Sequence, residues 1–416
     1  MGALERIVDA GGASPGADEQ TRALMLQRYR DVRAETLARA APLSAEDQCV
    51  QSMPEASPVK WHLAHTTWFF ETLLVAPHAP GYALYDIRYP QLFNSYYESL
   101  GPRHPRPQRG LLTRPALCEV MAYRARVDEA VERFVTGASS DVWAQAAAVL
   151  ELGLNHEQQH QELIWTDVLH LLSTNPLKPA YRADLPVVAD VCGRSEWLAQ
   201  PGGLTRIGHG CAGFAFDNEG PAHDVWLQSH ALASRLVTNA EFAAFIRDGG
   251  YGTASLWLSD GWALSQAQGW RGPLYWDFDG DEPVGTFGLR GYEPLRPDAP
   301  VSHLSLYEAA AYAEWCGARL PTEFEWEAAV RAEGQALQGC FEAVWQWTRS
   351  SYDPYPGFRP LPGPASEYNG KFMVGQVVLR GGSVATPHGH SRPTYRNFFP
   401  PSARWQFSGL RLARDA

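Results

Sequence analysis

The stretch Asn155-His156-Glu157-Gln158-Gln159-His160-Gln161-Glu162 is the part of this chain most able to do chemistry. On a helix, His156 and His160 stand at i and i+4, so both imidazoles leave one face about a turn apart and two nitrogens can reach one metal ion. Gln159 lies about 60° round from His156 at 3.6 residues per turn and borders the same face. Glu162 falls on a different one. A third ligand has to come from another element, and Trp61-His62-Leu63-Ala64-His65 offers two histidines, His65 and His62. The octet also matches H-E-x-x-H, the zinc-peptidase signature. Its extended form expects Gly and His where this chain has Leu163 and Thr166. Taken alone, the same histidines could equally be surface or core residues.

The elements that must position these groups read as helices. Asp18 to Ala41 places Leu24, Tyr29, Val32 and Leu37 near helical spacing. Ser57-Pro58 predicts a helix start, with Ser at the cap and a helix running to Leu74. Thr113-Arg114-Pro115 opens a third, to about Val135, and Ser140 or Asp141 a fourth, to about Leu172. Four helices of this length suggest a bundle, where metal sites are commonly built on facing helices. A long connection rich in Pro, Tyr and Arg, from Ala76 to Leu112, joins the second and third; loops of that length inside a compact domain are usually functional. The expected organisation is a bundle over residues 1–173, a linker over 174–200 and a second domain over 201–416. In the last, short apolar runs and Gly/Pro punctuation leave helices only at Thr238–Arg247, at Ser305–Cys316 and, shorter, after Thr322.

With 416 residues and a formal net charge of −11, the chain shows no Lys/Arg run, which argues against a nucleic-acid partner. Its six cysteines contain no CxxC pair, the N-terminus lacks a secretory pattern, and no run of 18 apolar residues predicts a membrane span. The expectation is a cytoplasmic protein; the oligomeric state is not readable.

Several motifs together resemble the sulfoxide synthases of ergothioneine biosynthesis. In the N-terminal half these are the LAHT segment at His65 and the NHEQQHQE segment at His156 and His160. In the C-terminal half they are Arg319-Leu320-Pro321-Thr322-Glu323-Phe324-Glu325-Trp326-Glu327, Val344-Trp345-Gln346-Trp347-Thr348, Leu379-Arg380-Gly381-Gly382-Ser383, Arg396-Asn397 and Ser408-Gly409-Leu410-Arg411. The resemblance spans nearly the whole chain. It implies an α+β protein: a DinB-like four-helix bundle followed by a loop-rich mixed α/β domain of the formylglycine-generating-enzyme, C-type-lectin-like type.

That resemblance favours His65 over His62 and implies that His65, His156 and His160 hold iron(II). Its substrates are O2, N-α-trimethylhistidine (hercynine) and a cysteine-type sulfur donor. Tyr97 or Tyr96 would deliver the proton or hydrogen atom that directs the reaction to C–S bond formation, with Tyr355 and Tyr368 as alternatives. Arg106 and Arg109 would bind the donor carboxylate, while Gln159, Asn397 and Phe398 would contact hercynine. The catalytic cysteine pair of formylglycine-generating enzymes has no counterpart in Pro400–Phe407. At Phe399 and Ala403 the γ-glutamylcysteine-using branch carries an acid and a base, so free cysteine is the expected donor. Other readings are an ovothiol-type synthase acting on histidine, often joined to a methyltransferase domain that is not expected within these 416 residues, a zinc-dependent DinB-type thiol transferase, and a non-enzymatic lectin-like module.

Overall fold

In the computed structural model, residues 15–416 are described, apart from 192 and 211. The N-terminal residues 1–14, read above for a secretory pattern, and Cys192 and Cys211 lie outside the described residues. The chain divides into two compact units. One holds the described residues to Leu171 together with Pro362–Glu367; the other holds Leu172–Leu361 and Tyr368–Ala416.

The first unit is built on four main helices: α1 (Pro15–Ala40), α2 (Val59–Phe70), α4 (Leu117–Gly137) and α5 (Ser140–Ser173). Every residue of α2 is buried, so this short helix is the axis of the unit. Its start differs from the sequence expectation: Pro58 is the N-cap residue, and Ser57 makes no cap hydrogen bond. Instead the Ser57 N–H donates to Asp167 and its hydroxyl accepts from Arg109, so tertiary partners claim both groups. The helix also stops being α-helical at Phe70 and continues as a π turn, Glu71–Val75, and on to His78. α4 begins at Leu117, with the Ala116 N–H bonded to Glu119, two residues beyond the expected proline start.

The long connection after α2 is wired down rather than free. The buried Glu71 carboxylate accepts from the hydroxyls of Tyr82 and Tyr123 and from the Tyr85 N–H, at 2.6–2.8 Å. Further along, a short helix α3 (Tyr89–Phe93) precedes two 3-10 turns, Glu98–Leu100 and Arg106–Leu111.

The second unit contains twelve strands among its described residues. β1 (Trp197–Gln200), β4 (His230–Ala233) and β12 (Ala413–Asp415) form an antiparallel sheet in the order β1-β4-β12. β2 (Gly203–Ile207) pairs with β3 (His223–Leu227), and β5 (Trp276–Asp279), β6 (Glu282–Gly288) and β7 (Gly291–Pro294) form a meander. The fourth sheet runs β10-β9-β8-β11, from β10 (Asn397–Phe399), β9 (Val377–Gly381), β8 (Trp345–Ser351) and β11 (Ser408–Gly409). Its helices are α6 (Asn239–Arg247), α7 (Ser259–Gln268), α8 (Leu306–Trp315) and α9 (Glu323–Glu333). Thr238, Ser305 and Thr322 cap α6, α8 and α9, each with a glutamate three residues on. Residues before β1 lie against this unit: Arg182 N–H bonds Leu289 O and Val191 N–H bonds Asp298 O.

The motif strings explain much of this unit. Trp326 is fully buried with its indole N–H on Gln346 Oε1. Glu323 and Glu327 both pair with the buried Arg380, and Glu323 also with Arg396. Gly381 has φ +100°, and a Cβ there would lie 2.1 Å from the Cys340 carbonyl oxygen, so only glycine fits.

Gly153 on α5 has a comparable role between helices. A Cβ there would sit 2.4 Å from Cε1 of Phe70, a fully buried ring at the end of α2. Gly153 therefore lets α2 and α5 approach one helical turn from His156. Gly153→Ala gains helix propensity of up to about 1 kcal/mol but overpacks the crossing, at a cost of about 1–3 kcal/mol. We expect net destabilisation in urea unfolding followed by far-UV circular dichroism; a stabilised variant would show that the crossing has slack.

Candidate metal centre

α2 and α5 bring His65, His156 and His160 together. All three are buried, and their ligand nitrogens lie within 4.8 Å of one another. The ring centroids are 4.6–5.0 Å apart, with planes at 56–80° to each other. The Nε2 atoms of His65 and His156 are 3.2 Å apart. Two nitrogens at about 2.1 Å from one cation and at right angles would be separated by about 3.0 Å, so this spacing suits a shared ion. The Nδ1–H of His65 donates to the Phe93 carbonyl at 2.6 Å, which leaves its Nε2 lone pair bare.

Burial is the main reason that all three imidazoles titrate low. It pushes His65 and His160 well below the ordinary range and His156 down to about 3, and the rings depress one another further. They are neutral at physiological pH, the form a metal needs. No carboxylate belongs to the group.

His62, the competing third ligand, occupies a different place. Its Nδ1 is 2.7 Å from Nδ1 of His160, and its Nε2 is 3.0 Å from Oδ2 of Asp167. Nor does Glu157 face the site. It is fully buried between Arg33 (2.9 Å) and Arg124 (3.0 Å), so the glutamate of the H-E-x-x-H string is committed to an ion-pair network and has no freedom to act as a peptidase base.

A stack of flat groups backs the centre. Trp61 lies parallel to His65, with centroids 4.5 Å apart and planes 12° apart, and the Arg109 guanidinium carbon sits 3.4 Å from the centroid of the same indole. Arg109 is 3 % exposed. Its partners are the hydroxyls of Ser57 (2.9 Å) and Ser95 (3.0 Å), no acid pairs with it among the described residues, and its Nε meets no acceptor. Burial, with help from Arg106, drives its pKa well below that of a free guanidinium. A cation in this position is prepared to receive an anion. Arg106 differs: it is exposed and bonds the Glu55 carbonyl.

Tyr97 is buried, stacked on Tyr96 at 4.6 Å and next to Trp68, whose ring in turn stacks on His65. The Asn94 side chain clamps this loop, accepting from the Tyr97 N–H and donating to its carbonyl. Immediately after Tyr97, the N–H groups of Glu98 and Ser99 donate to the carboxylate of Glu367, at 3.1 and 2.9 Å. Gln159 is half-buried on the His160 side of α5, and Glu162 is buried.

The remaining candidates lie in the second unit. Asn397 and Phe398 are on β10; Phe398 stacks on Tyr352 at 4.0 Å, and Asn397 Oδ1 accepts from the Phe398 N–H. Tyr355 is held by Glu323 and Arg380, and Tyr368 is stacked on Phe216, so each hydroxyl-bearing ring has a structural place. Ala403 is buried, and Arg404 beside it is paired with Glu308.

Residues 28–164 match the DinB superfamily, and residues 194–343 and 337–416 match the sulfatase-modifying factor enzyme 1-like domain. A protein from Mycolicibacterium thermoresistibile named hercynine oxygenase is 33% identical over 443 residues, covering 95% of each chain. A second hercynine oxygenase, from Mycolicibacterium smegmatis, is 32% identical over 88% of this chain and 92% of its own. This chain belongs to the hercynine oxygenase family. The two matched regions fall on the helical part and on the sheet-containing part described above. A formylglycine-generating enzyme from Streptomyces coelicolor is 35% identical, but over only 32% of this chain and 45% of its own. No described helix is long and apolar enough to cross a membrane.

Asp167 and Glu367, and the stacking role of Trp61, go beyond what the sequence motifs point to. Asp167 follows His160 by seven residues, two turns along the same helix face, and that spacing is a usable signal. Nothing local marks Glu367. The metal reading has a direct check. His156→Ala and His160→Ala should each lower bound metal from one equivalent to below about a tenth, by elemental analysis after reconstitution and desalting, with circular dichroism unchanged. Full metal content in both would move the site elsewhere.

Proposed function

We propose that this protein is an iron(II)- and O2-dependent sulfoxide synthase that joins the sulfur of cysteine to the imidazole of hercynine. The observation that carries the proposal is the pairing of a carboxylate-free three-histidine group with a buried arginine behind the same tryptophan. His65, His156 and His160 would hold the metal through neutral nitrogens. Bound there, iron(II) would supply oxygen activation and stabilise the donor sulfur as thiolate.

The chain's own residues would do the rest. Arg109 would grip the carboxylate of cysteine, and its rigid seat against Trp61 would fix the direction of the thiol. Tyr97 Oη, on a ring that cannot turn away, would hold the proton needed for C–S bond formation; Tyr96 packs against it. Gln159, on the helix that carries His156 and His160, is the proposed contact for hercynine. Phe399 and Ala403 supply no charge for a γ-glutamyl group, and Arg404 is already paired with Glu308, which supports free cysteine over γ-glutamylcysteine.

The test is anaerobic reconstitution with iron(II), hercynine and either donor, followed by admission of air, with oxygen uptake and product mass measured. A sulfoxide adduct from cysteine supports the reading in full, and an adduct from γ-glutamylcysteine alone would overturn the donor. No oxygen uptake despite bound metal would remove the synthase reading and favour zinc thiol chemistry. Separately, Arg109→Lys keeps the charge and loses the fork, so KM for cysteine should rise about tenfold or more, a loss of about 1.4 kcal/mol. KM for hercynine should move much less; an equal rise in both would take Arg109 out of donor binding.

A further inference from the structure

The contacts of His62 fix a direction for the protons in this centre. Asp167 Oδ2 is an acceptor, so the nitrogen facing it, His62 Nε2, carries a proton. A neutral imidazole has one N–H, so His62 Nδ1 is bare. That bare nitrogen lies 2.7 Å from Nδ1 of His160. Two lone pairs do not meet at that distance, so His160 Nδ1 carries the proton and donates it to the hydrogen bond. The Nε2 of His160 is then bare. The opposite assignment would set an imidazole lone pair against a carboxylate at 3.0 Å. Asp167 is itself fixed, because the same oxygen accepts the Ser57 N–H at 2.8 Å just before α2. All four residues are buried.

We propose that Asp167 and His62 are positioning residues: together they hold His160 in the tautomer whose Nε2 faces the metal, and so set the affinity and electronic character of the site. The proposal rests on the reading of His65, His156 and His160 as a metal centre. The relay is longer than a direct carboxylate–histidine pair, because an entire imidazole stands between the acid and the ligand. It ties the start of α2 to the last turns of α5, so the ligand's orientation depends on the junction of the two helices that carry all three ligands.

The experiment uses cobalt(II) as the probe, titrated anaerobically into the metal-free full-length protein and followed by its visible ligand-field bands. The proteins compared are the parent, Asp167→Asn, His62→Gln and, as a site control, His156→Ala. In parallel, 15N shifts of the histidine rings in the metal-free proteins report the tautomer of His160. Asp167→Asn keeps an acceptor for His62 and removes the charge, so it separates polarisation from simple packing. Expected are one tight cobalt site in the parent and about 10–100-fold weaker binding with shifted bands in Asp167→Asn and His62→Gln. His160 should be a single Nδ1–H tautomer in the parent and a mixture in His62→Gln. Parent-like affinity, bands and tautomer in both relay variants, with binding lost only in His156→Ala, would overturn the relay and leave the metal centre standing. No cobalt binding by the parent would overturn both.

Discussion

Glu157 carries its charge where no water reaches, and two guanidinium groups, Arg33 of α1 and Arg124 of α4, meet it there. Burial by itself would raise the pKa of this carboxyl, yet the two arginines hold it below the ordinary range. Arg33 also donates to Thr67 on α2, and Arg124 to the Leu63 carbonyl and Thr66 on the same helix. Four helices therefore meet at one carboxylate, in the residue next to His156. Removing one partner from such a network leaves a buried charge uncompensated, which costs about 3–5 kcal/mol. The three-histidine group thus inherits its spacing from an ion cluster on the far side of its own helix.

The two faces of that helix have opposite electrostatics. On one, charges are matched in pairs. On the other, the imidazoles are neutral and the nearby buried cation, Arg109, meets serine hydroxyls and an indole face, with no acid paired to it among the described residues. Elsewhere, Arg380 and Arg396 pair with glutamates, and Arg411 donates to Gln346 and backbone carbonyls. Ser57 couples the Arg109 cation to the metal side, since its hydroxyl meets Arg109 while its N–H meets Asp167.

The histidine pair at i and i+4, the four helices and the two-part organisation are legible in the sequence because each follows from a short periodic pattern. The third histidine of the group is legible only as a choice between His62 and His65, since they stand three positions apart and either could face α5. The structure divides the roles through contacts made 98 and 105 positions away, which no local pattern encodes. The change from α-helix to π turn after Phe70 is equally hidden: no Gly or Pro marks it, and it is the buried Glu71 with its tyrosine partners that coincides with the π turn. In the second unit, the capped helices announce themselves through Thr/Ser-x-x-Glu boxes. α7 does not, because its ten residues include Gly261, two serines and an aspartate, and only Gly261 and Ser265 are buried.

Glu367 stands 268 positions beyond Ser99, whose N–H it accepts. A ribosome adding about 5–20 residues per second needs on the order of 10–50 s to cover that interval. For that time the nascent bundle can hold its helices and its histidines, but the turn that follows Tyr97 lacks the carboxylate that closes it. Completion of the tyrosine loop is thereby scheduled after almost the whole polypeptide has been made.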